Sequence, residues 1–278
     1  MSIQLDNLHR IQSLEREILG EFIRICEKHG LRYYLAEGSL LGAVRHQGMI
    51  PWDDDIDVAM FRPDYERFMQ IAPDELQSAY ALHSHRFQPD YIECITKLVN
   101  RNQYVVSDAK GKPFTTNLWI DIFVIDGMPK GKLAHKLHKY RLLATKLMLM
   151  WSNVDHYATA RKRPYHETLM IAAAKRFHFS RFIRTSVWLD RLDRAMARIP
   201  ADERHDTVMF TSEYRFRSVH PFDCYGEGRI VPFDDMTACI PQKSEEMLSR
   251  VYGDYMQLPP EEGRYKHKLQ LLIHPEKH

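Results

Sequence analysis

Leu8, Ile11, Ile18, Leu19, Phe22, Ile23 and Cys26 recur at helical spacing, and Gly30 follows as a stop. The pattern predicts a long amphipathic first helix. A short apolar run at 32–36 reads as a strand leading into Gly38-Ser39, with Ser39 expected to cap a helix through Val44 that ends before Gly48 and Pro51. Asp55-Ile56-Asp57-Val58 alternates charge with apolar side chains, so 55–60 is predicted to be a strand. Pro63-Asp64 then opens a helix bearing Tyr65, Phe68 and Ile71. Strands are expected at 80–83, 92–99 and 104–107. The strongest is 118–125, LWIDIFVI, apolar but for Asp121 and followed by a turn at Asp126-Gly127. From 132 to about 198 the pattern changes to long basic helices with a break near Arg163-Pro164. The end returns to mixed structure: a strand at 229–233, a helix at 244–252, and the loop YGDYMQLPP.

These elements imply an α/β (α+β) fold with a basic helical insertion. The expected division is a catalytic core over 1–130, a basic helical region over 131–200, and a segment over 201–278 that packs back on the core.

Composition narrows the class. With 278 residues, 44% hydrophobic and 27% charged, the chain can bury a core and is not a disordered sequence. Cys26, Cys94, Cys224 and Cys239 are scattered with no CxxC pair, which favours reduced thiols over a disulfide framework or structural zinc. The N-terminus is polar and amphipathic rather than leader-like, and no run nears the roughly 18 apolar residues of a membrane span. The expected location is cytoplasmic, either free or peripheral to the inner face of the membrane. Charge is uneven: between Lys130 and Arg184 stand 13 Lys or Arg against Asp155 and Glu167, a local +11 in a chain of net +2. Leu, Met, Phe and Trp are mixed into this stretch, so it reads either as a solvated helical face or as a peripheral contact with anionic lipid. No nucleic-acid-binding motif accompanies it, and nucleic acid is not an expected partner.

The candidate chemistry lies in EGSLLGAVRHQGMIPWDDDIDVAM, which starts at Glu37. Period-two alternation places Asp55 and Asp57 on one side of a strand, where their mutual repulsion calls for a cation. Oxygen-only ligands suit Mg²⁺ or Mn²⁺. Asp121, an ionised group inside an apolar strand, is costly unless paired or metal-bound and is the natural third ligand. It is also a candidate general base. Gly38 and Ser39 at a helix N-terminus offer exposed N–H groups to a phosphate. Asp53 and Asp54 are candidates for steadying the loop or reaching a metal through water. Lys97, in ITKLV, is a candidate phosphate partner or a snorkelling edge lysine. Arg45 and His46 are further candidates, as are Arg264 and His267 after the Pro-Pro loop. Trp52 and Trp119 are more often core than stacking partners.

Together GSLLGAVRHQGMIPWDDDIDVAM, WIDIFVID and YGDYMQLPPEEGRYKH resemble the LicD family of the nucleotidyltransferase-like superfamily, which includes the fukutin-related proteins. The resemblance spans most of the chain and is weakest across the basic middle. It implies a nucleotidyltransferase-like fold, a mixed sheet flanked by helices, and transfer of a substituted phosphate, commonly phosphocholine from CDP-choline, to a sugar hydroxyl of a surface glycan or lipid-linked saccharide. It carries metal binding to Asp55, Asp57 and Asp121, and phosphate contact to Gly38 and Ser39. Where the family commonly has Phe-Glu-Gly, this chain has Phe233-Asp234-Asp235.

Three rival readings stand beside it. Asp55-Ile56-Asp57 is also the DxD of nucleotide-sugar glycosyltransferases, which usually place a long nucleotide-binding half before it. A nucleotidyltransferase releasing pyrophosphate from an NTP would share the same carboxylates. A non-catalytic relative that only binds nucleotide would be expected to have lost one of the three.

Overall fold

The computed structural model describes residues 2–107, 113–153, 184–261, 264 and 269–272, with side chains from residue 7 onward. Among the described residues the fold is mixed α/β: a curled mixed sheet flanked by six α-helices. Helix α1 (Ser2–His29) stops at Gly30, whose φ of 62° is the left-handed geometry of a helix-ending glycine. Strand β1 (Tyr34–Leu35) leads into α2 (Glu37–His46), then β2 (Asp57–Phe61) and α3 (Arg62–Glu75), which has proline in its first turn. Strands β3 (Tyr80–His83), β4 (Thr96–Ser107) and β5 (Phe114–Met128) precede α4 (Lys132–Ser152) and α5 (Thr185–Met196). The chain closes with β6 (Asp206–Val208), β7 (His220–Pro221), the hairpin β8 (Arg229–Phe233) and β9 (Met236–Ile240), α6 (Ser244–Tyr252) and β10 (Gln270–Leu272).

The main sheet runs β1-β2-β5-β4-β10, with β3 on the first half of β4 and β6 extending from the end of β5 to β7. The β2–β5 pair is parallel; its neighbours are antiparallel. Period two then sorts the side chains. Ile56, Val58, Met60, Ile120 and Ile122 enter the main core with Ile18, Phe22 and Ile25 of α1 and Phe68 of α3. Ala59, Phe61, Phe123 and Ile125 take the opposite face, packed with Tyr34, Met209, Tyr225 and Met247. A third cluster joins α4 and α5 through Leu142, Leu149, Leu189 and Leu192 to Met128 at the end of β5, Val208 of β6 and Phe210.

Four sequence expectations change. The helix after β1 begins at Glu37 and has no side-chain cap, so Ser39 lies inside its first turn and its hydroxyl is turned to β2. Asp55 precedes β2 instead of opening it. The segments 92–99 and 104–107 are not two strands: β4 is one strand with a register shift between Asn100 and Tyr104. Asn117 Nδ2 donates to the carbonyls of Asn100 and Arg101 there, satisfying backbone that the bulge takes out of the ladder. Asp126-Gly127 is not a turn, since β5 continues through it to pair with β6. Gly127 is required because a Cβ there would collide with the Pro200 carbonyl, and Asp126 is held by Arg62 at 2.6 Å. Arg62 also reaches Asp193 of α5 at 2.6 Å, tying that helix to the sheet. The break expected at Arg163-Pro164 lies outside the described residues. All four cysteines are free thiols.

Candidate functional site

Parallel pairing of β2 with β5 sets Asp57 opposite Asp121, and antiparallel pairing of β5 with β4 sets Lys97 opposite Asp121. Directly opposed residues share a face, so Asp57, Asp121 and Lys97 form one row across three adjacent strands. The Asp121 N–H donates to Ile56 O at 2.9 Å, which carries the β5 ladder to the residue just after Asp55. That row lies on the face opposite α1, at the edge of the cluster built around Phe61 and Phe123.

The electrostatics follow from this crowding. Burial, then Asp55, then Asp121 push the Asp57 carboxyl well above the ordinary range. Burial raises Asp121 to about 6, with Lys97 pulling against it and Asp55 adding to it. Asp121 Oδ1 is out of solvent and lacks a hydrogen-bond partner. Burial works against the Lys97 ammonium, but Asp121 and Glu93 outweigh it and hold its pKa above ordinary. Its Nζ is 3.0 Å from Glu93 Oε2 and 4.1 Å from the centre of the Trp119 ring, a cation–π contact that fixes it over the row. Lys97 therefore points into the site and is not a snorkelling edge residue.

Asp53, Asp54 and Asp55 gather so closely that one oxygen of each lies within 4.8 Å of the others. Asp55 belongs to that group, and its charge also acts on both Asp57 and Asp121. The loop carrying them is held by Gln12, whose Nε2 donates to Ile50 O (3.1 Å) and Asp53 O (2.9 Å). Asp54 Oδ2 accepts the Leu269 N–H at 2.9 Å. Glu15 of α1 is buried against the same loop, and burial first, then Asp55 and Asp54, raise its carboxyl well above the ordinary range. These carboxylates, together with the unpartnered buried Oδ1 of Asp121, offer an all-oxygen donor set that fits a hard divalent cation.

Gly38 and Ser39 act on this loop and strand. A Cβ at Gly38 would stand 2.9 Å from Asp53 Oδ2, so glycine lets α2 approach the acidic run. Ser39 Oγ accepts the Asp57 N–H at 2.9 Å and pins the start of β2. Arg264 lies over Trp52, 4.6 Å from its ring centre, at the edge of the acidic loop, while Arg45 donates to Tyr255 O at 2.8 Å. His46 packs edge-on against Trp52. His267 lies outside the described residues.

Two contributors, Glu37 and Glu15, escaped the sequence reading, and a third, Asp234, stood there only as a departure from the family pattern. Glu37 holds a φ of 47° at the head of α2, and its Oε1 accepts the Ser212 hydroxyl at 2.6 Å. Burial raises it to about 7. Its only local signal is an acidic residue in a first helical turn. Glu15 carries none beyond a charge on the apolar stripe of α1. Asp234 accepts the Met49 N–H at 2.9 Å, donates its own N–H to Gln47 O at 2.8 Å, and lies 3.5 Å from Arg16. The Asp-Asp departure after Phe233 is therefore a clamp on the loop leading to Trp52.

Fold and site define a mixed α/β protein with carboxylates converging from a parallel strand pair and the loop before it. Residues 30–141 match the family described as LicD/FKTN/FKRP, nucleotidyltransferase domain. The lipopolysaccharide cholinephosphotransferase LicD of Haemophilus influenzae is 29% identical over 258 residues, which cover 91% of this chain and 92% of that protein. Ribitol 5-phosphate transferase FKRP of Homo sapiens is 41% identical over 56 residues, 20% of this chain and 11% of that one. An uncharacterized Rickettsia typhi protein, RT0683, is 35% identical over 78 residues, 28% and 24% of the two chains. Over residues 30–141 the chain is thus similar to the LicD family's nucleotidyltransferase domain.

Proposed function

We propose that this protein is a LicD-type phosphotransferase that moves a substituted phosphate, most simply phosphocholine from CDP-choline, to a sugar hydroxyl of a glycan and releases CMP. The observation that carries the reading is the row of Asp57, Asp121 and Lys97 on adjacent strands, with Asp55 beside it. The near-full-length similarity to a cholinephosphotransferase, and the shorter one to a ribitol 5-phosphate transferase, support phosphate transfer to a saccharide over an unrelated use of the same carboxylates.

A divalent cation of the Mg²⁺ or Mn²⁺ type, held by Asp55, Asp57 and Asp121, would offset the charge of the donor diphosphate and of departing CMP. The chain's own residues do the rest. The Lys97 ammonium, kept charged by Asp121 and Glu93, meets a phosphate oxygen. The α2 N-terminus at Gly38 orients amides toward the same anion. Arg264 and Trp52 form one rim of the approach. The sugar hydroxyl attacks phosphorus, its proton passes to the Asp121 carboxylate, and the bond from phosphorus to the CMP oxygen breaks. Positioning and charge stabilisation dominate such transfers.

Incubation of the protein with CDP-choline, acceptor saccharide and Mg²⁺ or Mn²⁺ should release CMP in step with phosphocholine-labelled saccharide. Pyrophosphate release from CTP, with no turnover of CDP-alcohols, would instead assign it to nucleotidyl transfer. Among the described residues no helix is long and apolar enough to cross a membrane.

A further inference from the structure

Helix α4 carries an apolar ridge on its outer side. Leu133, Leu137 and Tyr140 are 82%, 72% and 65% exposed, which in so short a stretch is far from a scatter of single surface residues. At about 100° per residue they fall with exposed Ala144 within an arc of about 60°. The buried His138, Leu142 and Leu149 lie on the far side of the helix. Exposed Lys136 and Lys132 border the ridge on one side and exposed Arg141 on the other. No Asp or Glu occurs from Lys130 to Ser152. The remaining cations are turned elsewhere: Lys139 lies over Phe216, Lys146 over Phe210, and Lys130 donates to Glu203 O.

An apolar ridge between two basic borders, on a helix whose other face is fixed to a folded core, has the geometry of a segment lying in a bilayer interface. We propose that α4 docks the protein flat on an anionic lipid surface, with Leu133, Leu137 and Tyr140 entering the headgroup boundary and Lys132, Lys136 and Arg141 pairing with lipid phosphates. The choice of occupant rests on charge complementarity: one-signed borders on both sides suit a continuous anionic plane. The inference is carried by α4 itself and goes beyond the transfer chemistry.

Co-sedimentation of the full chain with vesicles of equal parts phosphatidylglycerol and phosphatidylcholine tests it. The protein should bind these vesicles and not pure phosphatidylcholine, and added salt should weaken the binding. Leu133→Glu with Leu137→Glu should lower partitioning by at least about tenfold. Lys132→Glu with Lys136→Glu should lower it by about fivefold or more for each basic residue lost. Ile230→Glu, an equally exposed apolar position on β8, should leave it unchanged. CMP release with a water-soluble acceptor should be the same in all of these variants, so vesicle binding and transfer are read separately. Wild-type protein that stays in the supernatant overturns the proposal, as does a Leu133/Leu137 variant that sediments like wild type. A dimer that the same double change dissociates, without vesicle binding, assigns the ridge to a second copy and also overturns it.

Discussion

Replacing Asp121 with Asn removes one of two carboxyls that the sheet forces together, and its effect on the metal-free protein can be worked out beforehand. Burial and Asp55 raise Asp121 from 3.8 to about 6 against the pull of Lys97. An acid whose folded pKa lies above its unfolded one binds more protons in the native state, so its contribution is fully favourable below pH 3.8 and is lost as pH rises through 6. A shift of roughly two units corresponds to about 3 kcal/mol, of which about half has accrued by pH 5 and the remainder by pH 7.5. Asn also deprives Lys97 of a counter-charge, although Glu93 stays paired with it at 3.0 Å. The net expectation is a gain of about 1–2 kcal/mol at pH 7.5, or a melting temperature higher by about 3–6 °C. Melting in the presence of chelator at pH 5 and 7.5 checks this. The difference between variant and wild type should grow with pH, while transferase turnover is lost. A variant less stable than wild type at pH 7.5, or a difference that ignores pH, would show that Asp121 is not held in repulsive company.

Other changes test the supports of the site. Ser39→Ala strips the buried Asp57 N–H of its acceptor and should cost about 1–3 kcal/mol in urea unfolding, with turnover reduced. Gly38→Ala drives a Cβ onto the Asp53 carboxylate; the protein should fold with near-normal circular dichroism but lose roughly 10²-fold in kcat/KM through displacement of the acidic loop. Asp234→Ala releases the Met49 N–H and should cost about 1–2 kcal/mol, raising KM more than it lowers kcat, as read from steady-state kinetics.

What was legible along the chain was whatever local pattern dictates. The long first helix with its Gly30 stop, α3 behind Pro63, β3, and α6 at Ser244–Tyr252 all follow from periodicity and end signals. Asp121 stood out because a lone charge in an apolar strand demands a partner, and the sheet places it opposite Asp57. The misreadings arise where a distant segment decides. Ser39 resembles a cap, but β2 offers its hydroxyl an N–H to accept, so the cap position moves three residues back to Ala36 and the helix starts on a strained Glu37. Asp126-Gly127 has turn composition, but Arg62 and Pro200 make the same two residues suit a continuing strand. Glu37, Glu15 and Asp234 gain their meaning from Ser212, from the acidic loop and from Met49, contacts between residues far apart in the chain that no window of local sequence contains.

The central claim is that carboxylates from β2, β5 and the preceding loop jointly cage a divalent ion over a nucleotide diphosphate. Titrating Mn²⁺ into the protein in the presence of CDP-choline, with free Mn²⁺ followed by electron paramagnetic resonance, measures that directly. Saturable binding in the wild type that disappears in a folded Asp57→Asn variant is the expected result. Undiminished Mn²⁺ binding by that variant would contradict it.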